Sequence, residues 1–191
     1  MIQLAEFASR EAAHARSIIE RGSVFQRERI GIVAERAVAN PGDLIEIGCY
    51  SGGTSRILAE IARRHGRKLV CVDNWQSWTV YDLPRIGTEF CQWAAREYPD
   101  TIAIYEGDAH SPEIVSRIQG HRYCFAFSDD GHSYEEHLSE LRTLLPLTNG
   151  PIAVDDVYLP DVRRAIADAT HGTEWVELYD ERLRESWLVK R

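Results

Sequence analysis

The stretch FSDDGHSYEEH, residues 127 to 137, holds two aspartates, two glutamates and two histidines in eleven positions. Carboxylates and imidazoles at that density could ligate a metal ion or move a proton. Part of the cluster has a plainer role. Ser133 followed three residues later by Glu136 fits a capping box, so Glu135 and Glu136 read as favourable charges at a helix N-terminus. His132 precedes that cap and His137 lies beyond it, so the two do not form the i,i+4 pair of an HExxH zinc site. Asp129, Asp130 and His132 remain, at the expected C-terminal tip of a strand. The next strand-like run, PIAVDDVY, carries Asp155 and Asp156 at its end. If the two strands are neighbours, with tips about 4.8 Å apart, these carboxylates crowd one edge. They then raise one another's pKa unless a cation or a proton intervenes. Oxygen-only donors suit a hard divalent ion, Mg²⁺ ahead of Ca²⁺ or Mn²⁺; solvated acids at strand ends are the alternative.

A second constellation is LIEIGCYSGGTSRILAE, which reads as strand, glycine turn and helix. Glycines at 48, 52 and 53 let the backbone approach a ligand, and the helix N-terminus offers free N–H groups. The spacing is G-x-x-x-G-G rather than the G-x-G-x-x-G of a dinucleotide site. Glu46, two residues before the first glycine, would repel a pyrophosphate but suit a cationic or amine-bearing ligand such as S-adenosylmethionine. Asp73 ends the second strand, where a carboxylate can accept from both ribose hydroxyls.

The elements that must carry these residues alternate. Helical patterns over residues 4–22 and 25–40 come first, followed by apolar runs at 44–48, 68–73, 102–105, 123–128 and 151–155 with amphipathic segments between most of them. Short β-rich runs separated by helices indicate a parallel sheet covered on both faces. Thr54 or Ser51 is the expected cap of the helix after the first strand, and Gly66 its end. TEWVELYD and ESWLVKR, joined by ERLR, leave no room for a crossover helix and must pair antiparallel. The expectation is a single domain over residues 1–191, a helical cover (1–40) on an α/β Rossmann-like core (41–191).

Composition narrows the function further. The net charge of −8 argues against a nucleic-acid partner. No apolar run approaches membrane-spanning length, and the charged first twenty residues lack a signal-peptide core. Cys49, Cys71, Cys91 and Cys124 are dispersed with no CxxC pair, which reads as reduced, buried thiols of a cytoplasmic protein.

On these residues the chain resembles the class I S-adenosylmethionine-dependent methyltransferases. Glu46-x-Gly48-x-x-x-Gly52 looks like their first motif, Asp73 like their ribose acid, and YEGDAHS like the segment whose Gly107, Asp108 and Ala109 flank the adenine. The resemblance implies a seven-stranded sheet of order 3-2-1-4-5-7-6 closed by the antiparallel hairpin, with cofactor contacts from Glu46, Gly48, Tyr50, Gly52, Gly53, Asp73, Asn74, Gly107, Asp108 and Ala109. Within that class, Ser128 to Tyr134 is similar to the I-D-G-D-H-S-Y pattern of metal-dependent sugar and natural-product O-methyltransferases of the macrolide-tailoring type. The resemblance then implies metal ligation by Asp129, Asp155 and Asp156 and a base role for His132, with Asp129 also counted in the catalytic set. The family's D-G-D reads D-D-G here, which moves the glycine next to His132 and alters the turn.

The implied chemistry is methyl transfer to a hydroxyl of a small molecule, with Mg²⁺ acidifying that hydroxyl and His132 removing its proton. His110 is a weaker base candidate. Trp75, Trp78 and Tyr81 are candidate walls of the acceptor pocket, whereas Phe90 and Trp93 read as helix-to-sheet packing. The N-terminal helices either cover the site or form a homodimer interface. Rival readings are a metal-independent methyltransferase and a non-catalytic cofactor- or nucleotide-binding module.

Overall fold

A computed structural model of the chain describes residues 24–76, 82–180 and 185–191. The helix expected over 4–22, the pocket candidates Trp78 and Tyr81, and the ERLR link lie outside the described residues. The elements run α1 (Val24–Ala37), β1 (Asp43–Ile47), α2 (Gly53–Arg64), β2 (Leu69–Asp73), α3 (Leu83–Glu97), β3 (Ile102–Glu106) and α4 (Pro112–Gln119). They continue as β4 (Tyr123–Ser128), α5 (Tyr134–Leu144), β5 (Ile152–Val154), α6 (Pro160–Thr170), β6 (Trp175–Asp180) and β7 (Glu185–Lys190).

The seven strands form one sheet in the order β3-β2-β1-β4-β5-β7-β6. The first five pair in parallel, while β7 pairs antiparallel with both β5 and β6. This is the strand order implied by the resemblance, and the terminal hairpin is the one expected from the two C-terminal strand-like runs. The first five strands are separated by helices, so each parallel connection has its crossover.

Side-chain alternation along the strands divides the core in two. Leu44, Leu69, Cys71 and Phe127 pack with Ile30 of α1, Ile57 and Ile61 of α2, and Phe90 and Trp93 of α3. Ile45, Ile47, Val70 and Ala126 pack on the other face with Ile118 of α4, Leu138 and Leu141 of α5, and Val162 and Ile166 of α6. Each fully buried Val, Leu, Ile or Phe among them is worth about 1.5–3 kcal/mol. No helix among the described residues is long and apolar enough to cross a membrane.

The order of strands matters for function because β1 sits between β2 and β4, where the chain reverses direction across the sheet. Open α/β sheets bind ligands at the C-terminal strand ends beside such a reversal. The register Glu46↔Phe127 and Ile47↔Ser128 brings Gly48 level with Asp129. The register Ser128↔Val154 brings Asp129 level with Asp155.

Candidate active site

The glycine turn after β1 is fixed by steric necessity. Gly48 has φ +86°, and a Cβ there would run into the backbone carbonyl of Asp129. Gly52 (φ +81°) is the N-cap of α2, and its Cβ would lie 2.5 Å from the Phe90 ring. Ser51 and Thr54 were the expected caps; the left-handed backbone at Gly52 takes that position instead, with no side-chain cap bond. Gly66, just beyond the helix, has the left-handed conformation expected of its end.

Asp73 ties the turn to the next strand. Its Oδ2 accepts the Tyr50 N–H at 2.7 Å and its Oδ1 accepts the Trp75 N–H at 2.7 Å. The Trp75 indole N–H in turn donates to the Tyr50 carbonyl at 2.7 Å. Trp75 is therefore a buried anchor, with its ring 5.6 Å from that of Phe90, and not the pocket wall expected from its position. Phe90 and Trp93 do pack α3 onto the sheet, with ring centroids 5.6 Å apart. Each Asp73 oxygen keeps a second lone pair for a ligand hydroxyl. Asn74 turns its Oδ1 to the Gln76 N–H at 2.8 Å.

Glu46 lies under this turn, 1% exposed, with Oε2 lacking a hydrogen-bond partner among the described residues. Burial pushes its carboxyl up to about 8, Asp73 adds to the rise, and Ser55 and Arg27 oppose it. Across the β2–β3 edge, Gly107 has φ +151° and Ala109 is buried. Asp108 Oδ1 accepts from both the backbone N–H and Nδ1 of His110, at 2.9 and 3.0 Å.

The second half of the site stands on β4 and β5. Asp129 donates its N–H to the Ile47 carbonyl at 2.9 Å, and Asp155 donates to Ser128 at 3.1 Å, so the ladders hold the acids side by side. Burial first, then the neighbouring Asp155 and Asp156, drives the Asp129 carboxyl well above the usual range. Asp130 is pushed up to about 6 by burial and by Asp73, against the opposing pull of His110. His132 Nε2 lies 3.1 Å from Asp156 Oδ2. That bond raises the imidazole above its ordinary 6.5 and lowers Asp156 below its ordinary 3.8.

Three non-glycine residues among those described have positive φ: Tyr50, Trp75 and Asp156. Each follows the C-terminal end of a strand: β1, β2 and β5. Strain of this kind costs about 1–3 kcal/mol per residue and collects at functional sites; here it collects on one edge.

The D-D-G order also has a structural reason. A Cβ at residue 131 would lie 2.9 Å from Glu136 Cβ and 3.0 Å from His137 Nδ1, so the start of α5 requires glycine at that position. The expected capping box is present, with Ser133 Oγ accepting the Glu136 N–H and Glu136 reaching back to the Ser133 N–H.

Residues that the sequence reading passed over also reach the site. Arg27 of α1 packs against Gly53, whose Cβ would lie 2.7 Å from the guanidinium carbon, and its charge is felt by Glu46 and Asp129. Nothing in an amphipathic helix pattern distinguishes this arginine from a solvated one. His137 and Glu140 are buried beneath the 129–132 turn. A histidine and a glutamate three apart on the apolar face of α5 were the signal for them.

Residues 45–157 match the family described as a methyltransferase domain. The chain belongs to the methyltransferase domain family. Comparison with curated proteins finds no match. Among solved structures, this methyltransferase domain is similar to the SAH-bound Podospora anserina methyltransferase PaMTH1, with TM-score 0.67 and 16% identity over 97% of this chain and 88% of that one. It is similar to CalS11, a TDP-rhamnose 3'-O-methyltransferase of calicheamicin biosynthesis, with TM-score 0.69 and 15% identity over 97% and 93%. It is also similar to the O-methyltransferase TomG of Streptomyces achromogenes in complex with SAM, with TM-score 0.66 and 15% identity over 97% and 89%.

The methyltransferase domain's own residues fit the cofactor that such a site takes. The unpartnered, buried Glu46 oxygen suits an ammonium or sulfonium group, and the glycine turn admits no side chain where backbone must approach a ligand. For a hard cation, Asp129, Asp155 and Asp156 are an oxygen donor set of the right chemistry, and their mutual repulsion is what a cation would relieve. Their oxygens are spread more widely than the donor atoms of Glu46, Cys49 and Cys71, the one trio among the described residues whose donors all lie within 4.8 Å of one another. That trio contains two buried thiols, soft donors unsuited to Mg²⁺.

Proposed function

We propose that this chain, as a single domain, transfers a methyl group from S-adenosylmethionine to a hydroxyl of a small molecule, with Mg²⁺ at the β4–β5 edge. The observation that carries the reading is the meeting of Glu46, beneath the glycine turn, with Asp129 across the Gly48–Asp129 contact. A site for a cationic donor and an acidic edge for an activated acceptor share that one seam.

In this reading the glycine turn and Glu46 orient the donor, with Asp73 offering its remaining lone pairs to the ribose. Bound S-adenosylmethionine would supply an electrophilic methyl, leaving as the thioether of S-adenosylhomocysteine. Mg²⁺, when held by Asp129, Asp155 and Asp156, would lower the pKa of an acceptor hydroxyl. His132 in its neutral form takes the hydroxyl proton, and Asp156, 3.1 Å away, stabilises the imidazolium that results. Positioning of the two reactants on adjacent strand tips supplies much of the acceleration. The His132–Asp156 pair also favours a second reading, in which it deprotonates the acceptor without a metal.

Isothermal titration with S-adenosylhomocysteine and with NAD tests the donor site; binding of NAD alone refutes the methyltransferase reading for this pocket. Transfer of labelled methyl to a panel of small hydroxylated acceptors, with Mg²⁺ and with EDTA, separates the two mechanisms. Full activity in EDTA assigns the reaction to the metal-independent one.

A further inference from the structure

Ser128, His137 and Glu140 are 0%, 0% and 3% exposed. Among them, Ser128 Oγ, both His137 ring nitrogens and both Glu140 oxygens have no well-formed hydrogen bond to any described group. These five atoms belong to one place. The Ser128 hydroxyl and the Gly131 backbone are close enough to influence the Glu140 carboxyl, and Gly131 likewise influences His137. These influences are hydrogen-bonding ones, from the Ser128 hydroxyl and the Gly131 backbone, but the contacts fall short of well-formed bonds.

Buried polar atoms without partners cost about 1–3 kcal/mol each, and such groups in folded proteins are satisfied by protein or by ordered water. Helical periodicity on α5 places residues 137, 140, 141 and 144 toward the sheet, where Leu141 and Leu144 are apolar. A polar pair on that stripe breaks the pattern of its own helix without a well-formed bond to any described group, which points to a ligand. Its electrical state indicates which kind. Burial holds His137 down to about 4 and Glu140 up to about 8, so both are neutral near pH 7. A neutral imidazole, a carboxylic acid and a hydroxyl offer donors and acceptors but no charge, which suits water and not a cation.

We propose that Ser128, His137 and Glu140 bind an internal water under the Asp129–His132 turn, and that His137 and Glu140 are thereby positioning residues for Asp129 and His132. The positioning part rests on the roles given to Asp129 and His132 above. Bonded to Ser128 at the end of β4 and to two side chains of α5, the water locks the turn from beneath.

The full chain and its Glu140→Leu and Glu140→Gln variants test this. A high-resolution crystal structure of the wild type shows the water within hydrogen-bond reach of all three side chains. Glu140→Leu loses it, amide exchange at residues 129–132 speeds up about tenfold, and kcat falls about tenfold or more with little change in KM for the donor. Glu140→Gln, isosteric and neutral, restores both. Dry density in the wild type, or a metal ion in that place, overturns the proposal. So does a Glu140→Leu variant with unchanged exchange and kcat, the result expected of a plain core position. Should Glu140→Leu fail to fold, Ser128→Ala takes its place, and unchanged amide exchange there overturns the proposal as well. Failure of the wild type to bind S-adenosylhomocysteine would sink the methyltransferase reading separately, while the density and the exchange rates still decide the water site.

Discussion

The two halves of the site differ in how completely their polar groups are satisfied. At the β1–β2 tips, Asp73 already holds two backbone N–H groups, Trp75 closes the loop with a third bond, and the glycines leave no alternative backbone. At the β4–β5 tips, Asp129 and Asp130 are pushed upward by burial and by neighbouring acids, while Asp156 lies 3.1 Å from His132. The contrast teaches a division of labour. On the proposed reading, a half that binds one invariant molecule can be preorganised, whereas a half that polarises an acceptor keeps carboxylates under mutual repulsion until a ligand relieves it.

The strongest test of the rigid half is Gly48→Ala. Left-handed strain together with overpacking against Asp129 should cost on the order of 3 kcal/mol and abolish S-adenosylhomocysteine binding, as measured by denaturant unfolding and calorimetry. Tolerance of alanine would show that the turn is not preorganised.

Asp129→Asn addresses the strained half. Methyl transfer should fall about 100-fold or more, while unfolding free energy rises, because one member of a repelling, buried set of carboxylates is gone. A loss of stability instead would place this edge on the same footing as the glycine edge and break the comparison.

A pH profile sharpens it next. His132 is raised above 6.5, so its pairing stabilises the fold fully below 6.5 and that contribution is lost as pH climbs through the raised value. Asp156 is lowered below 3.8, so its share is present above 3.8 and lost as pH falls through the lowered value. The pair therefore contributes most between 3.8 and 6.5. On the proposed mechanism the neutral His132 is the base, and its pKa is raised above 6.5, so kcat should rise as pH climbs through that raised value, and Asp156→Asn should move the rise to lower pH. Glu140 adds a stability slope of the same sign as that of His132. Its carboxyl is raised from 4.5 to about 8, so stability declines between those values, and Glu140→Gln should flatten that decline in pH-resolved unfolding.

The smallest effect belongs outside both halves. His65, at the C-cap of α2, meets Glu35 at 2.8 Å on the surface. His65→Ala should shift stability by about 0.5 kcal/mol or less and leave transfer unchanged.

Much of this site is legible before folding. Glycine spacing, the acid inside the first strand, the capping box at Ser133 and the two strand-like runs at the C-terminus depend on neighbours a few residues away, and local periodicity records such neighbours. They set the alternating order of elements, and with it the edge on which Asp129 and Asp155 end. Other features come from residues distant in sequence. Trp75 became a buried anchor because Tyr50 and Gly87 lie against it, and Gly52 displaced Ser51 and Thr54 as the cap because Phe90 fills the space beside it. Arg27 reaches Gly53 only once α1 crosses α2, and His137 and Glu140 are buried only once α5 lies on β4. The sequence by itself determined the strand tips, the helix starts and the residue types available at them. Which acids share a field, which polar groups lose their water and which arginine faces the turn were decided by the tertiary structure, because desolvation and charge coupling depend on distance in space and leave no period along the chain.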